Sequence, residues 1–83
     1  MPVELHPHAW ERLGERGATE AEVIETVLSG ERFPAKFGRM GFRKVFTYNA
    51  LWRGRVYDHK QIEAIAVEDV GDMLVLTVIT RYY

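Results

Sequence analysis

Three residues near the start of the chain have the types and the spacing to do chemistry. His8, Arg12 and Arg16 are each four residues apart in the stretch HPHAWERLGERG, and residues with this spacing share one face of a helix. Histidine, with an unperturbed pKa of ~6.5, transfers protons near neutral pH, and the planar guanidinium group of arginine binds phosphate. The solvated side of an amphipathic helix has the same pattern, so the spacing alone leaves both interpretations open.

A second set of candidates lies between residues 36 and 60. This segment has seven basic residues and one acidic residue, although the net charge of the whole chain is -1. Aromatic residues are interleaved with the cations, which suits a nucleic-acid strand, because cations bind phosphates and rings stack on bases. The nucleic-acid-binding candidates are Arg39, Arg43, Lys44, Arg53, Arg55 and Tyr57 of this segment, together with Arg16 of the first stretch. The alternative is a half-buried sheet, in which apolar and charged residues alternate without any ligand.

The composition excludes several other chemistries. The chain of 83 residues has no cysteine, which excludes a disulfide framework, a thiolate zinc site and a thiol nucleophile. His6 and His8 have no third ligand near them, so we predict no metal and no cofactor. No apolar stretch approaches the ~20 residues that span a bilayer, and the N-terminus lacks the pattern of a signal sequence. We therefore expect a cytoplasmic protein that does not associate with a membrane.

The elements that must position these residues are predicted to be two helices followed by strands. Pro7 suits the first helical position and Gly17 the end of that helix. Thr19 and Glu22 have the spacing of a capping box for a second helix, which ends at Gly30.

After Gly30 the apolar pattern changes from helical to alternating. ERFPAKF is a weak strand or a connection, FRKVFTY and QIEAIAVED are strands, and residues 52–57 are a separate strand or the start of a longer one. MLVLTVITRYY is apolar on both faces, which favours a central position in the sheet. We predict a single α+β domain over residues 1–83, with two N-terminal helices packed on an antiparallel sheet of three to four strands.

The chain resembles a small family of bacterial and phage proteins that is catalogued as a domain of unknown function. The stretch HAWERLGERGATEAEV, with its H-x-x-x-R-x-x-x-R-G spacing, carries the resemblance together with YDHKQIEAIAV and VLTVITRYY. The family is grouped with RelE-like toxins, which share the fold of barnase, EndoU and the colicin nucleases. The resemblance implies helices that lead into a curved antiparallel sheet, and it implies RNA cleavage without a metal.

RNA cleavage without a metal needs a base for the 2′-hydroxyl, an acid for the 5′-oxygen and cations for the phosphate. The resemblance makes His8 the first choice for the base or the acid, and Arg12 a phosphate contact. Lys60 is a further phosphate contact, and Thr80 or Tyr82 lies where the related nucleases place a polar or aromatic catalytic residue. Each residue also has a structural alternative: a solvated His8, a solvated Lys60, and tyrosines that close the edge of the core or a dimer contact.

Two functions follow from these residues. The first is a toxin-like, metal-independent endoribonuclease that acts on RNA, free or bound to a ribosome, and that has an antitoxin protein as its partner. The second is a noncatalytic module on the same fold that binds nucleic acid or a partner protein. A homodimer is compatible with both.

Overall fold

The computed structural model describes residues 2–83. Two helices, α1 (Pro7–Arg16) and α2 (Glu20–Ser29), follow a short first strand, β1 (Val3–Leu5). The remaining strands are β2 (Glu31–Pro34), β3 (Met40–Trp52), β4 (Arg55–Asp69) and β5 (Asp72–Tyr82). A single 3-10 turn, Lys36–Gly38, lies in the β2–β3 connection, residues 35–39.

Both helices have a capping residue at the start and a glycine after the last residue. Pro7 is at the start of α1, and Gly17, with a φ of 69°, ends it, because a left-handed backbone is cheap only for glycine. In α2 the Thr19 hydroxyl accepts a hydrogen bond from the Glu22 backbone N–H at 3.2 Å. The Glu22 carboxylate accepts one from the Thr19 backbone N–H at 3.0 Å. The capping box predicted from the sequence is therefore formed.

The sheet has five strands in the order β1-β5-β4-β3-β2 and is mixed, because β1 runs parallel to β5. The predicted sheet had three to four antiparallel strands. The difference arises at β1 and β2, which have three and four residues. The three residues of β1 show too little alternation to predict a strand. The segment that contains β2 was predicted as a weak strand or a connection, because Pro34 weakens its signal. Residues 52–57 contain the end of β3, the turn at Arg53 and Gly54, and the start of β4.

The core lies between the two helices and one face of the sheet. Ala9 and Leu13 of α1 and Val23 and Val27 of α2 are buried in one apolar cluster with the strands. The strand members of this cluster are Leu5, Phe42, Ile62, Ala64, Ala66, Met73, Val75 and Val78. In β4 these buried residues alternate with half-buried ones, as expected for a strand with one covered face.

The opposite face of the sheet carries ion pairs. The Arg43 guanidinium lies 3.2 Å from the Glu31 carboxylate and 3.8 Å from that of Glu63, and Arg81 lies 3.8 Å from Glu63. These contacts join β2, β3, β4 and β5 in one row of alternating charge. Opposite charges on neighbouring strands stabilise a sheet modestly.

The surroundings of Gly14 and Gly41 predict opposite effects on stability when each glycine is replaced by alanine. A Cβ on Gly14, inside α1, meets no atom within 4 Å, whereas a Cβ on Gly41 would overlap the Phe33 ring. We expect Gly14→Ala to raise the free energy of unfolding by about 0.5 to 1 kcal/mol, because alanine favours the helix. We expect Gly41→Ala to lower it by about 1 kcal/mol or more, because the ring must move. Urea denaturation followed by circular dichroism measures both, and a shift of the same sign in the two variants would contradict the packing described for Gly41.

Candidate nucleic-acid interface

An open cleft of about 310 Å³ lies where the C-terminal turn of α1 meets the ends of β3 and β5. We call it the helix-end cleft, and the side chains that line it are Glu15, Arg16, Trp52, Arg53, Thr80 and Tyr82. Four of the six were predicted from the sequence as site residues: Arg16, Arg53, Thr80 and Tyr82. The fold therefore brings together candidates that are up to 66 residues apart in the chain.

Hydrogen bonds to the last carbonyl groups of α1 hold together the elements that form this cleft. A helix leaves its final carbonyls without intrahelical partners, and here the sheet supplies the donors. The Arg53 guanidinium donates to the Glu15 carbonyl at 2.8 Å. The Thr80 hydroxyl and the Tyr82 hydroxyl both donate to the Arg16 carbonyl, at 2.8 and 2.7 Å. The predicted site residues thus have a structural role, which is to fix the end of α1 on the sheet.

Lys60 of β4 also donates a hydrogen bond at the end of α1. Its side chain is buried, with 5% of the residue exposed, and its ammonium group donates to the Gly17 carbonyl at 2.9 Å. The ammonium also lies 2.8 Å from the Glu22 carboxylate and 5.2 Å from the centre of the Tyr48 ring. The donors of Lys60 are therefore engaged inside the protein, and the phosphate contact expected from the sequence is not a free one.

An aromatic cluster forms one wall of the cleft. The Tyr82 ring stacks on Trp52 with 4.9 Å between ring centres and 17° between planes. Tyr48 meets Tyr82 edge-on at 5.3 Å, and Tyr57 lies 5.7 Å away. Burial, followed by the neighbouring Tyr48, raises the pKa of the Tyr82 phenol. The phenol therefore keeps its proton at neutral pH and stays a donor to the Arg16 carbonyl.

Close packing in the cluster depends on a glycine. A Cβ on Gly17 would overlap the Tyr82 hydroxyl, and it would lie 2.7 Å from the Trp52 ring. The residue that ends α1 is thus also the one that lets Trp52 and Tyr82 approach the helix. Trp52 was not among the site residues predicted from the sequence, although its position beside Arg53 in LWRGR is a signal that could have identified it.

The basic residues fall into two classes. Of the 11 lysines and arginines, five form ion pairs with carboxylates: Arg12, Arg43, Lys44, Lys60 and Arg81. The other six have no carboxylate partner among residues 2–83: Arg16, Arg32, Lys36, Arg39, Arg53 and Arg55. Arg16 and Arg53 line the helix-end cleft, and Arg55 lies opposite Trp52 on the neighbouring strand. The other three lie on β2 and the β2–β3 connection. Among the predicted nucleic-acid contacts, Arg43 and Lys44 thus belong to the paired class.

The stripe on α1 reaches the cleft only at its last member. His8 is exposed in the first turn of α1, and the eight residues to Arg16 correspond to about 12 Å along the helix axis. Arg12 lies 3.6 Å from Glu15 in an ion pair along the helix. The structure therefore does not bring His8 together with Thr80 and Tyr82, and its catalytic role stays a prediction.

Two further observations concern the residues that the structure describes. Over residues 2–83, no group of three or more histidine, aspartate or glutamate side chains is arranged to hold a metal ion. In the same part of the chain, no helix has the length and apolar character needed to cross a membrane.

The Lys60–Glu22 pair leads to a stability prediction. We expect Lys60→Met to lower the free energy of unfolding by roughly 3 kcal/mol, because the Glu22 carboxylate and the Gly17 carbonyl lose their buried donor. The double variant Lys60→Met/Glu22→Gln should recover most of this loss, because no unpaired charge remains and glutamine still accepts the Thr19 N–H. Urea denaturation of the two variants measures the difference, and a double variant as unstable as the single one would contradict the role of the pair.

Comparison with known proteins adds no assignment. Neither a protein-family model, nor a curated protein, nor a solved structure matches this chain. The resemblance to RelE-like toxins therefore rests on the sequence motifs alone.

Proposed function

We propose that this protein binds single-stranded RNA in the helix-end cleft. The observation that carries the proposal is that two guanidinium groups without carboxylate partners, those of Arg16 and Arg53, meet a stacked aromatic pair in one open cleft. Guanidinium groups bind phosphate oxygens, and an unpaired base that stacks on an aromatic ring gains about 1 to 3 kcal/mol. A single strand suits the cleft because its bases are unpaired and can stack on the aromatic cluster, beside the Arg53 guanidinium that lies 5.1 Å from the centre of the Trp52 ring.

The electrostatics of the cleft support an anionic ligand. The C-terminal end of a helix carries partial negative charge, which would repel a phosphate. Here the carbonyls of Glu15, Arg16 and Gly17 each accept a hydrogen bond from a side chain, and two of these donors are cationic. The Arg16 Nε atom is buried and has no hydrogen-bond partner within residues 2–83. Arg55 adds an exposed cation beside Tyr57, 5.8 Å above its ring.

A RelE-like fold is part of this proposal. It is supported by the sequence motifs and by the two helices that precede a largely antiparallel sheet. In a RelE-like protein, the ligand would be RNA, free or on a ribosome, and the protein partner would be an antitoxin.

The binding proposal predicts a specific dependence on salt. We expect Arg16→Gln/Arg53→Gln to weaken binding of a fluorescent single-stranded RNA of ten nucleotides by about tenfold or more. The slope of log Kd against log salt should decrease by about 1.4, because each of two phosphates contributes about 0.7 on a single strand. Fluorescence anisotropy over a salt series measures both quantities.

Arg81→Gln is the matched control for the single variants Arg16→Gln and Arg53→Gln, because each removes one positive charge and Arg81 is exposed outside the cleft. It should leave both affinity and slope close to those of the unmodified protein. If Arg81→Gln reduces both quantities as much as a cleft arginine does, the RNA is held by net charge and not by the cleft.

The second candidate function is metal-independent cleavage of the bound RNA. The protonated Tyr82 phenol lies in the same cleft as Arg16 and Arg53, which gives a proton donor beside two cations. In this reaction the 2′-oxygen attacks phosphorus, and the 5′-oxygen leaves with a proton, so that a cyclic phosphate end forms. The position of His8 at the other end of α1 makes binding the better supported of the two functions.

Cleavage is tested with end-labelled RNA in EDTA. If cleavage is the function, we expect cyclic phosphate ends from the unmodified protein. Loss of cleavage in His8→Ala, with circular dichroism unchanged because His8 is exposed, would support the role predicted for His8 from the sequence. Undiminished cleavage by His8→Ala would exclude His8 as the acid or base. RNA binding without any cleavage would exclude the endoribonuclease and leave the binding function.

A further inference from the structure

The β2–β3 connection presents an aromatic ring to solvent. Phe37 is 88% exposed, and its backbone has a φ of 61° and a ψ of 35°. This left-handed conformation favours glycine and is strained for a bulky side chain. Neither packing in the core nor backbone preference therefore explains a phenylalanine here. Strain of this kind is an observation from which a functional role can be inferred.

Cations without carboxylate partners lie on the connection and on the adjoining strand β2. Lys36 and Arg39 flank Phe37 in the sequence and are exposed, and the Arg39 guanidinium lies 5.7 Å from the ring centre. Arg32 on β2 contacts the sulfur of Met40 at 3.2 Å. None of the three has a carboxylate partner within residues 2–83, and the sequence has no acidic residue from position 32 to position 57. The connection thus carries two exposed cations, Lys36 and Arg39, that form no ion pair within residues 2–83.

A groove beside the ring offers space for a flat ligand. It has a volume of about 420 Å³ and is lined by the connection and by Ile65 and Thr77 of the sheet. Most of its lining is apolar, with Lys36 and Arg39 at the side. Small-molecule sites of this size are also mainly apolar with a few charged groups.

We propose that the β2–β3 connection is a second contact for single-stranded nucleic acid, in which a base stacks on Phe37 and phosphates bind Lys36 and Arg39. The charge favours this ligand, because cations without acids nearby complement a phosphate backbone, and an exposed ring complements an unpaired base. The class of ligand rests on the proposed function, whereas the residues that would bind it here are different.

The two contacts lie at opposite ends of β3. Trp52 in the helix-end cleft follows Met40, next to the connection, by twelve positions. This corresponds to at most roughly 40 Å, because the strand has an irregularity between Thr47 and Ala50. The longest dimension of the molecule is 41 Å. A strand long enough to reach both contacts should bind more tightly than a short one, because the second contact then forms within the same complex.

A matched pair of variants tests the ring. Phe37→Gly removes the ring at a position where glycine suits the backbone, so we expect it to fold normally. Val70→Gly is the control, because Val70 is 98% exposed with a φ of 50°, but lies in a turn beside Glu68, Asp69 and Asp72. The probe is a single-stranded RNA tetranucleotide, which is too short to reach both contacts. The readout is the set of amide shifts in the ¹⁵N–¹H spectrum of the whole chain.

We expect two separate groups of amides to shift, one at residues 35–39 and one around the helix-end cleft. Phe37→Gly should raise the apparent Kd obtained from the first group of amides about tenfold and leave the Kd obtained from the second group unchanged. Val70→Gly should alter neither value. The melting temperatures of both variants should stay close to that of the unmodified protein, which separates loss of binding from loss of folding.

The outcomes distinguish this proposal from the proposed function. Shifts at the cleft alone overturn the second contact and leave the cleft as the binding site. Shifts at the connection alone, sensitive to Phe37→Gly, support the second contact and overturn the cleft. An absence of shifts overturns both. A tetraglutamate peptide that shifts residues 35–39 as strongly as the RNA does would show an acidic protein partner and overturn base stacking.

Discussion

The attachment of the C-terminal turn of α1 to the sheet is the constraint on which this structure depends. Carbonyl groups that a helix cannot satisfy by itself are bonded by Arg53, Lys60, Thr80 and Tyr82, which come from the β3–β4 turn, β4 and β5. Buried carbonyls without donors are costly, so helix and strands must meet in one arrangement. The helix-end cleft is the part of this junction that is left open, and its shape follows from hydrogen bonds that serve the fold.

The ion pairs show which basic side chains already have a carboxylate partner within the protein. Arg43 and Arg81 join strands on the open face of the sheet, and Lys44 joins β3 to Glu25 of α2 at 3.2 Å. The arginines and lysine without carboxylate partners lie instead at the two ends of β3, each group beside exposed or half-buried rings. The basic residues of a sequence therefore predict an anionic ligand only once the ion pairs inside the protein are known. Here the ion pairs divide one basic segment into two separate surfaces.

The local parts of the fold could be predicted from the sequence, and the long-range parts could not. The capping box at Thr19 and Glu22 depends on residues three apart, and it formed as expected. The strand β1 escaped prediction because its partner lies some 70 residues later. Lys60, Thr80 and Tyr82 were selected for chemistry and do line or support one cleft. Their bonds to α1 depend on strand register and on the end of a helix far away in the chain, which periodicity does not reveal.

The pairing of β1 with β5 also bears on how the chain folds. Val3 lies opposite Met73 and Leu5 opposite Val75, so the first strand has no sheet to join until nearly all of the described chain has been synthesised. Closing a contact over such a separation is slow compared with forming a hairpin. The two helices and the β3–β4 hairpin can form earlier from local contacts. The helix α1 packs mainly on β5, whereas α2 packs on β4 and β3. A nascent chain would thus carry the apolar face of α1 uncovered until β5 emerges, and this stage is the one most exposed to misassembly during translation.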